Sequence, residues 1–478
     1  MTTRTAVVIG ASLGGLLTAR ALTDAYDRVV VVDRDALPGQ ADARRGVPQG
    51  RQLHVLLVRG RQALEELLPG IGDELVGRGV ATVDLHGQVH WYNDGHRMRR
   101  APSDLHAYGL SRPLLEQVVR ERVAALPGVT LVAGCEAVGL TTTDDRQRVT
   151  GVRLRDRDGA ERTVDADLTV DAGGRGTRSP VWLAELGYQP AAEERVRVDV
   201  TYVTRRYRRT PDQLDGLLGL LTNAMPGQPR GGIVAPQEDG RVAVAFSGML
   251  GEEPPTDDAG LLAFADTLPA PQVGALLRTA QPIGEPARMR FPFSVRRRYE
   301  RLRRFPAGYL VVADALCSFN PVYGQGVTVA ALEALLLRRL LTRRQRAGRQ
   351  WRPDRQWRPD RLARMFFRGA ARVIDGPWAI SSGSDLRFPA VSGPRPARVR
   401  LVNAYLPYLH AAATRDASLG AAFLRVLNLV DPPARLLAPT VLLRVLRGVP
   451  AARRAGRRRP AERPDQPGQR PSTTSIAR

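Results

Sequence analysis

The sequence predicts a mixed α/β (α+β) fold in which a parallel-sheet domain is interwoven with a second β-sheet domain and followed by helices. Three observations lead to this prediction. A glycine-containing strand–helix–strand pattern occupies residues 5–33, and a strand–turn–helix pattern occupies residues 309–341. Between them, residues 195–300 alternate apolar and polar side chains as strands do. The 478 residues are enough for two such domains.

The first pattern is a short apolar run broken by Gly10, Gly14 and Gly15, then a helical pattern, then a second apolar run ending at Asp33. Such a turn lets backbone N–H groups approach a pyrophosphate, and the acid accepts hydrogen bonds from a ribose. The pattern therefore predicts a Rossmann-like dinucleotide site. Ser12 stands where G-x-G-x-x-G has its second glycine, and its hydroxyl is positioned to donate to a phosphate.

The second pattern is an apolar strand that delivers Asp314, followed by a turn whose Gly324, Gln325 and Gly326 open a helix. A helix N-terminus here would direct N–H groups and a positive dipole end at a flavin ring. The glycines would let that ring lie close to the backbone. The two patterns, in this order and at this separation, predict non-covalently bound FAD laid across the core.

Local signals define the elements between these patterns. Residues 81–100 contain a predicted hairpin turned at Asn93-Asp94-Gly95. Ser111 is the predicted cap of a helix over residues 112–126. Residues 130–170 predict a β-meander. The predicted domains are a FAD-binding domain, first part (1–194), a substrate-binding β-sheet domain (195–300), a FAD-binding return segment (301–345), a C-terminal helical region (346–450) and a disordered basic tail (451–478).

The net charge is +23, and every basic side chain apart from histidine is Arg. Nucleic-acid binders normally use Lys as well, so we attribute the charge to a GC-rich genome and predict no nucleic-acid partner. Two cysteines cannot form a disulfide framework, which favours a reducing, cytoplasmic location. No stretch predicts a membrane span. The hexapeptide QWRPDR occurs twice in tandem, at 350–361, and we assign it no function.

Over residues 5–340 the chain resembles the FAD-dependent aromatic hydroxylase and squalene-epoxidase superfamily. The resemblance rests on the order of motifs: the glycine fingerprint, an Arg-rich loop, an R-x-x-L helix, an acidic strand end, and a segment similar to G-D-A…P-x-x-G-x-G. More narrowly, RRGVPQGRQLHVLL (44–57) and GSDLRFPAVSGPRP (383–396) resemble actinobacterial polyene epoxidases of polyether biosynthesis.

The resemblance, with the glycine turn, assigns two sets of residues to FAD. The set on the adenosine diphosphate side is Gly10, Ser12, Gly14, Gly15, Asp33, Arg34, Arg44 and Arg112. The set on the ribityl and flavin side is Asp314, Gly324, Gln325 and Gly326.

Three positions depart from the family pattern: Ser12, Ala313 in place of the glycine of Gly-Asp, and Asp171-Ala172 in place of Asp-Gly. The third lies in a motif that the hydroxylases use for both FAD and NAD(P)H. It leaves two electron sources open, NAD(P)H bound directly or a separate flavin reductase.

Other candidates carry less weight. Residues predicted to contact substrate, although a structural role is also open to each, are His54, Phe246, Phe291, Phe293 and Pro321. His86 and His90 have the spacing of a helical metal pair, but in a predicted strand they lie roughly 13 Å apart. We therefore predict no metal site.

The predicted function is an FAD-dependent monooxygenase that inserts one oxygen from O2 through a flavin C4a-hydroperoxide, as the resemblance implies. The flavin carries this chemistry, and no protein residue is assigned as catalytic. The favoured substrate is an apolar alkene of a polyketide or terpenoid, because no evident base serves a phenol. The alternatives are an aromatic hydroxylase and a flavin-dependent isoprenoid reductase, which would consume no O2. A third is a basic nucleic-acid or membrane-surface protein, with an apolar helix over residues 434–447.

Overall fold

The computed structural model describes residues 3–346 and 361–455. Nearly all of the hexapeptide repeat and the tail beyond residue 455 lie outside the described residues. The strands are β1 (Thr5–Ile9), β2 (Arg28–Asp33), β3 (Val55–Leu56), β4 (Ala81–Asp84), β5 (Val89–Asn93), β6 (His96–Arg97), β7 (His106–Gly109), β8 (Val129–Ala133), β9 (Cys135–Thr142), β10 (Val149–Asp156), β11 (Glu161–Asp165), β12 (Leu168–Asp171), β13 (Glu193–Arg208), β14 (Gly219–Thr222), β15 (Arg230–Pro236), β16 (Arg241–Gly248), β17 (Gln281–Arg297), β18 (Tyr309–Val311) and β19 (Cys317–Ser318).

The helices are α1 (Leu13–Leu22), α2 (Val58–Leu67), α3 (Ile71–Gly77), α4 (Arg112–Ala124), α5 (Ser179–Glu185), α6 (Asp258–Asp266), α7 (Pro271–Thr279), α8 (Gly326–Arg346), α9 (Arg361–Asp385), α10 (Ala397–Ala412), α11 (Ala417–Leu427) and α12 (Pro439–Ala455). The predicted mixed α/β class is confirmed.

A five-stranded parallel sheet, in the order β18-β12-β1-β2-β8, forms the first layer. Its strands are largely buried because other elements cover them: α1, which packs against α8, contacts β1 and β2, and the antiparallel strands β9 and β10 contact β2 and β12. Side chains from the N-terminal pattern and from the return segment, such as Val7 and Leu335, share this core. The return segment thus belongs to the same layer as the N-terminal strands.

The meander predicted over residues 130–170 is smaller than expected. Only β9, β10 and β11 form an antiparallel sheet. β8 pairs in parallel with β2, and β12 pairs in parallel with β1. The alternation in these two strands is compatible with either sheet, so only the long-range pairing separates them.

The second layer is an eight-stranded sheet in the order β19-β17-β13-β16-β15-β14-β5-β6. The strands predicted over residues 195–300 lie in it, and it also takes β5, β6 and β19 from outside that range. β5 pairs in parallel with β14, so the predicted hairpin forms one edge of this sheet. The predicted turn of that hairpin is confirmed. Asp94 and Gly95 both have positive φ, 49° and 74°, as a type I′ turn requires.

Residues 361–455 are mostly helical and pack against the hairpin through a separate apolar cluster that includes Trp91, Leu409 and Val445. Two details differ from the predictions. The helix expected over residues 434–447 begins only at Pro439, after a 3-10 turn over Pro433–Leu437. Residues 451–455, expected to begin the tail, continue α12. No helix in the described ranges is long and apolar enough to span a membrane.

Candidate functional site

One cavity of about 1990 Å³ runs from the glycine turn after β1, between the two large sheets, to the C-terminal helices. Gly10, Asp33 and Arg44 line one end, and Asn93 and His410 line the other. Pockets for a single small ligand usually hold about 300–1,000 Å³. The volume is therefore sufficient for a dinucleotide together with a second molecule.

The glycine turn is built by close backbone approach. Gly10 has φ of +103°, and a Cβ added there would lie 2.6 Å from the Ala172 carbonyl oxygen. A Cβ on Gly15 would lie 1.8 Å from the Gly10 carbonyl oxygen, and one on Gly14 would lie 2.7 Å from the Ala313 Cβ. All three positions need glycine for steric reasons. The last contact joins the first sequence pattern directly to the second.

Beside this turn lies a buried ionic group that we call the adenosine-side cluster: Ser12, Asp33, Arg44, Arg112 and Glu116. Arg44 Nη1 lies 2.9 Å from Asp33 Oδ2, and Arg44 Nε lies 2.7 Å from Glu116 Oε1. Arg112 Nη2 donates to Ser12 Oγ at 2.9 Å, and Ser12 Oγ donates to Glu116 Oε2 at 2.9 Å. The Ser12 proton is thus already used, which corrects the expectation that it donates to a phosphate.

Glu116 was missed by sequence reasoning. It lies four residues after Arg112 on the same face of α4, whose cap at Ser111 accepts from the Leu114 N–H as predicted. The sequence did contain a signal for it: an acidic residue four positions after Arg112, a candidate cofactor residue, in the same predicted helix. Two donors of the cluster, Arg44 Nη2 and Arg112 Nε, are buried without a hydrogen-bond partner among the described residues, although Arg112 Nε lies 3.5 Å from Glu116 Oε2. Unpaired guanidinium donors beside a glycine turn fit an anionic group such as a pyrophosphate.

Asp33 is engaged on both oxygens. Oδ2 accepts from the Ala11 N–H at 2.7 Å, and Oδ1 accepts from the Asp35 N–H at 2.9 Å. These bonds fix the carboxylate at the end of β2, where it lines the cavity. Arg34 is exposed and also lines this end.

At the return segment, Ala313 has φ of +55°, a left-handed conformation that favours the glycine it replaces. Its N–H donates to Glu333 Oε2 at 2.7 Å, which holds the turn. Burial raises the pKa of Glu333 to about 8. Burial also raises the pKa of Asp314, against the charges of Arg112 and Arg175.

The helix predicted to open at residues 323–326 begins at Gly326, after Gly324 turns with φ of +62°. Gln325 is 1% exposed and lines the cavity, and neither of its amide atoms has a partner within the described ranges. A buried primary amide with a free donor and a free acceptor fits a ring that carries both, as the isoalloxazine of FAD does.

The weaker substrate candidates fall into two groups, those that line the cavity and those that do not. Phe291 and Phe293 on β17 line the cavity beneath Arg175, whose Cζ lies 4.4 Å from the Phe291 ring centroid. Pro321 also lines the cavity. Phe246 instead packs edge-on against Phe264 in the core between the eight-stranded sheet and α6 and α7. Its assignment as a substrate contact is therefore corrected.

His54 lines the cavity near Arg112. Burial and the Arg112 charge lower its pKa to about 3, so the ring is neutral at physiological pH. Its Nε2 is buried without a partner among the described residues. This free atom is compatible with the predicted contact to a bound molecule.

Sequence reasoning also missed a buried polar network beside the return segment. Tyr202 OH donates to Asn320 Oδ1 at 2.5 Å, and Asn320 Nδ2 donates to Asp385 Oδ1 at 3.0 Å. Tyr323 OH donates to the same Asp385 oxygen at 2.9 Å. Burial raises the pKa of Asp385 to about 7, despite these two hydrogen bonds. An acid that titrates near neutral pH thus lies directly behind residues that line the cavity.

Sequence reasoning also missed a second group of residues, which lines the other end of the cavity. We call it the dyad end, after the pair Asp94 and His410, and it comprises Asn93, Asp94, Arg387 and His410. Asp94 Oδ2 lies 2.7 Å from His410 Nδ1, and Asp94 Oδ1 accepts from Arg387 Nη2 at 2.5 Å. Burial acts to raise the pKa of Asp94, but His410 and Arg387 outweigh it and bring the pKa to about 2. The dyad end gives the cavity a histidine paired with an ionised carboxylate.

His86 and His90 do not share a strand, because β5 begins only at Val89. His86 Nε2 contacts the Arg99 carbonyl oxygen at 3.0 Å, and His90 Nε2 lies 3.2 Å from Asp215. Among residues 3–346 and 361–455, no three His, Cys, Asp or Glu side chains form a group suited to a metal.

Comparison with known proteins agrees with this architecture. Residues 6–209 match the family model described as FAD dependent oxidoreductase. The chain is 36% identical over 444 residues to Protein Rv3254 of Mycobacterium tuberculosis (strain ATCC 25618 / H37Rv), covering 89% of this chain and 90% of the relative.

Two solved structures share the fold at low identity. The flavin-dependent brominase Bmp2 is similar with a TM-score of 0.62 at 14% identity, covering 95% of this chain and 100% of its own. The p-nitrophenol 4-monooxygenase PnpA of Pseudomonas putida DLL-E4 is similar with a TM-score of 0.59 at 15% identity, covering 89% and 99%. With its glycine turn, its return segment and these matches, the chain belongs to the FAD-dependent oxidoreductase family.

Proposed function

We propose that the chain is a monooxygenase that transfers one oxygen atom from O2 to an alkene of a polyketide or terpenoid. The observation that carries the proposal is a continuous cavity, which joins the glycine turn to apolar side chains under the C-terminal helices. Residues lining that apolar end are Trp91, Leu406, Phe423, Val426 and Leu427. A long apolar chain placed there would reach toward the flavin side of the cavity.

The cofactor assignment is part of the proposal. Arg44 and Arg112 would hold the pyrophosphate with the glycine turn, Asp33 would hold the ribose, and Gln325 would contact the ring. Bound FAD, once reduced, supplies an electrophilic oxygen atom in the presence of O2. The chain excludes water and orients the acceptor carbon. NAD(P)H or a separate flavin reductase would supply the electrons.

The test of the reaction is incubation of the FAD-loaded protein with a reductant, 18O2 and a linear polyene, followed by mass spectrometry. We expect one labelled oxygen per turnover, in an epoxide or its diol. Saturation of the polyene without label would identify a reductase instead.

The test of the cofactor site is the FAD affinity of Asp33→Ala. We expect a loss of about 1–3 kcal/mol, the scale of a hydrogen bond to a charged group. Unchanged FAD affinity would contradict the assignment of Asp33.

A second candidate, aromatic hydroxylation, is favoured by one observation. Asp94 and His410 provide a base-like pair in the cavity, and a phenol benefits from such a group when its ring is attacked. Label incorporated into phenols, with none in polyenes, would select this candidate.

A further inference from the structure

The dyad end of the cavity joins three segments that are distant in sequence. Asp94 lies in the turn between β5 and β6, Arg387 follows α9, and His410 lies in the last turn of α10. The His410 ring packs edge-on against Phe423 with ring centroids 4.9 Å apart, and the residue is 5% exposed. Its position is therefore fixed on one edge by a carboxylate and on one face by an aromatic ring.

The pairing with Asp94 decides which nitrogen of His410 carries the proton. An ionised carboxylate only accepts, so Nδ1 bears the hydrogen and Nε2 presents a lone pair. Burial lowers the pKa of His410, and the charges of Arg387 and His96 act in the same direction against Asp94. The neutral ring with a free acceptor at Nε2 is the form present at physiological pH.

That acceptor is not used by the protein. His410 lines the cavity, and its buried Nε2 has no hydrogen-bond partner among the described residues. Asn93, which precedes Asp94 in the chain and also lines the cavity, is 2% exposed, and its Nδ2 donor is likewise without a hydrogen-bond partner in the described part of the chain. Asn93 Oδ1 is already occupied, because it accepts from Asn223 Nδ2 at 2.7 Å.

The dyad end, in a cavity that apolar side chains such as Trp91 and Phe423 also line, thus holds an unused acceptor and an unused donor. Leaving such groups buried and unpaired is costly, so a ligand that pairs them is favoured. A hydroxyl group is the smallest substituent that donates one hydrogen bond and accepts another.

We propose that His410, oriented by Asp94, accepts a hydrogen bond from a hydroxyl group of the substrate. The inference rests on the proposed function, and it narrows the substrate to a molecule with an apolar body and a hydroxyl at the end under the C-terminal helices. If that hydroxyl is phenolic, its O–H bond breaks as the Nε2–H bond forms, and Asp94 stabilises the resulting imidazolium. Phenols and apolar alcohols share this O–H chemistry, and the test separates them.

The experiment measures binding to the oxidised, FAD-loaded protein, in which no turnover occurs. Two matched pairs replace the hydroxyl by its methyl ether and are neutral at physiological pH: 4-methylphenol against 4-methylanisole, and retinol against retinyl methyl ether. We expect the hydroxylated member of at least one pair to bind about tenfold to a hundredfold more tightly, the range of a buried acceptor left unpaired. The pair that shows the preference identifies the class of hydroxyl.

His410→Phe keeps an aromatic ring and removes the acceptor, so it should bring the two members of the pair to equal affinity. His410→Gln retains an acceptor and should keep part of the preference. If His410→Phe does not fold, His410→Gln is the variant whose reduced preference tests the role of His410. FAD content and the melting temperature verify that each variant remains intact.

Equal affinities in the wild-type protein for both pairs would overturn the inference, and so would a preference that survives His410→Phe. Neither result depends on oxygen transfer. If the hydroxyl preference is present but no 18O is incorporated, the proposed reaction fails while the binding role of His410 stands. If 18O is incorporated without any hydroxyl preference, only the role of His410 fails.

Discussion

The two ends of the cavity are built in different ways. In the adenosine-side cluster, Arg44 and Glu116 are joined through short, buried ion pairs close to a glycine turn that backbone contacts hold in place. At the dyad end, Asp94 and His410 are 316 residues apart, and His410 Nε2 is left without a partner in the described chain. The first end leaves only guanidinium donors, Arg44 Nη2 and Arg112 Nε, without a hydrogen-bond partner among the described residues, whereas the second leaves a neutral acceptor and an amide donor unused. This difference suits a resident cofactor at one end and an exchanging substrate at the other.

The largest expected effect tests the ionic part of this comparison. Glu116→Ala removes the shared partner of Arg44 and Arg112; Arg44 keeps its ion pair with Asp33, but the buried Arg112 is left without an ion pair among the described residues. We expect the free energy of unfolding to fall by about 3–5 kcal/mol, measured by urea denaturation. The matched control is Glu161→Ala, which breaks an exposed pair with Arg155 and should cost less than about 1 kcal/mol. Similar losses in both variants would show that the cluster is not energetically distinct.

The next largest effect tests the backbone contacts that hold the glycine turn in place. Gly15→Ala places a Cβ against a backbone oxygen that cannot move without opening the turn, so we expect a loss of stability above about 3 kcal/mol and a loss of bound FAD. Gly14→Ala meets only the Ala313 methyl group and should cost about 1–3 kcal/mol.

A second substitution distinguishes the side-chain contact of Gly14 from the backbone contact of Gly15. Adding Ala313→Gly removes the methyl group that Gly14→Ala meets and should restore stability, because alanine is then the better helix former. The same addition should not rescue Gly15→Ala. Thermal melting of the four variants checks this, and rescue of both would contradict the assigned contacts.

The last effect concerns the polar network around Asp385, behind the cavity wall, and depends on pH. The pKa of Asp385 is raised to about 7, from the ordinary aspartate value of 3.8. Between these values the native chain binds a proton that the unfolded chain does not, so this group lowers stability as pH rises from about 4 to 7. The slope is at most about 1.4 kcal/mol per pH unit. The stability of Asp385→Asn relative to the wild type should therefore increase as the pH rises from about 4 to 7. Parallel plots of unfolding free energy against pH for the two proteins would contradict the raised pKa of Asp385.

Sequence alone predicted the parts of the molecule that depend on local pattern. The glycine turn, the Ser111 cap and the Asp94-Gly95 turn follow from side chains within a few residues of one another. Phe246 was misassigned because alternation tells which residues share a face of a strand but not what covers that face. In this sheet, α6 and α7 cover it.

The missing parts of the site depend on contacts between distant segments. Asp385 is joined to Tyr323, 62 residues earlier, and His410 to Asp94. The sequence around Asp385 and His410 contains no spacing that identifies their partners. For this reason no evident base for a phenol could be recognised in the sequence. The C-terminal helices supply one only when they fold over the hairpin.

The long separation between Asp94 and His410 also sets an order of events during synthesis. A ribosome that adds about 5–20 residues per second needs roughly 15–60 s to travel the 316 residues between them. During that interval β5 and β6 have emerged, but the helices that cover the adjoining apolar face, including Trp91, have not. The nascent chain therefore exposes this apolar face for a large part of its synthesis, which makes the hairpin one of the segments that a chaperone would protect.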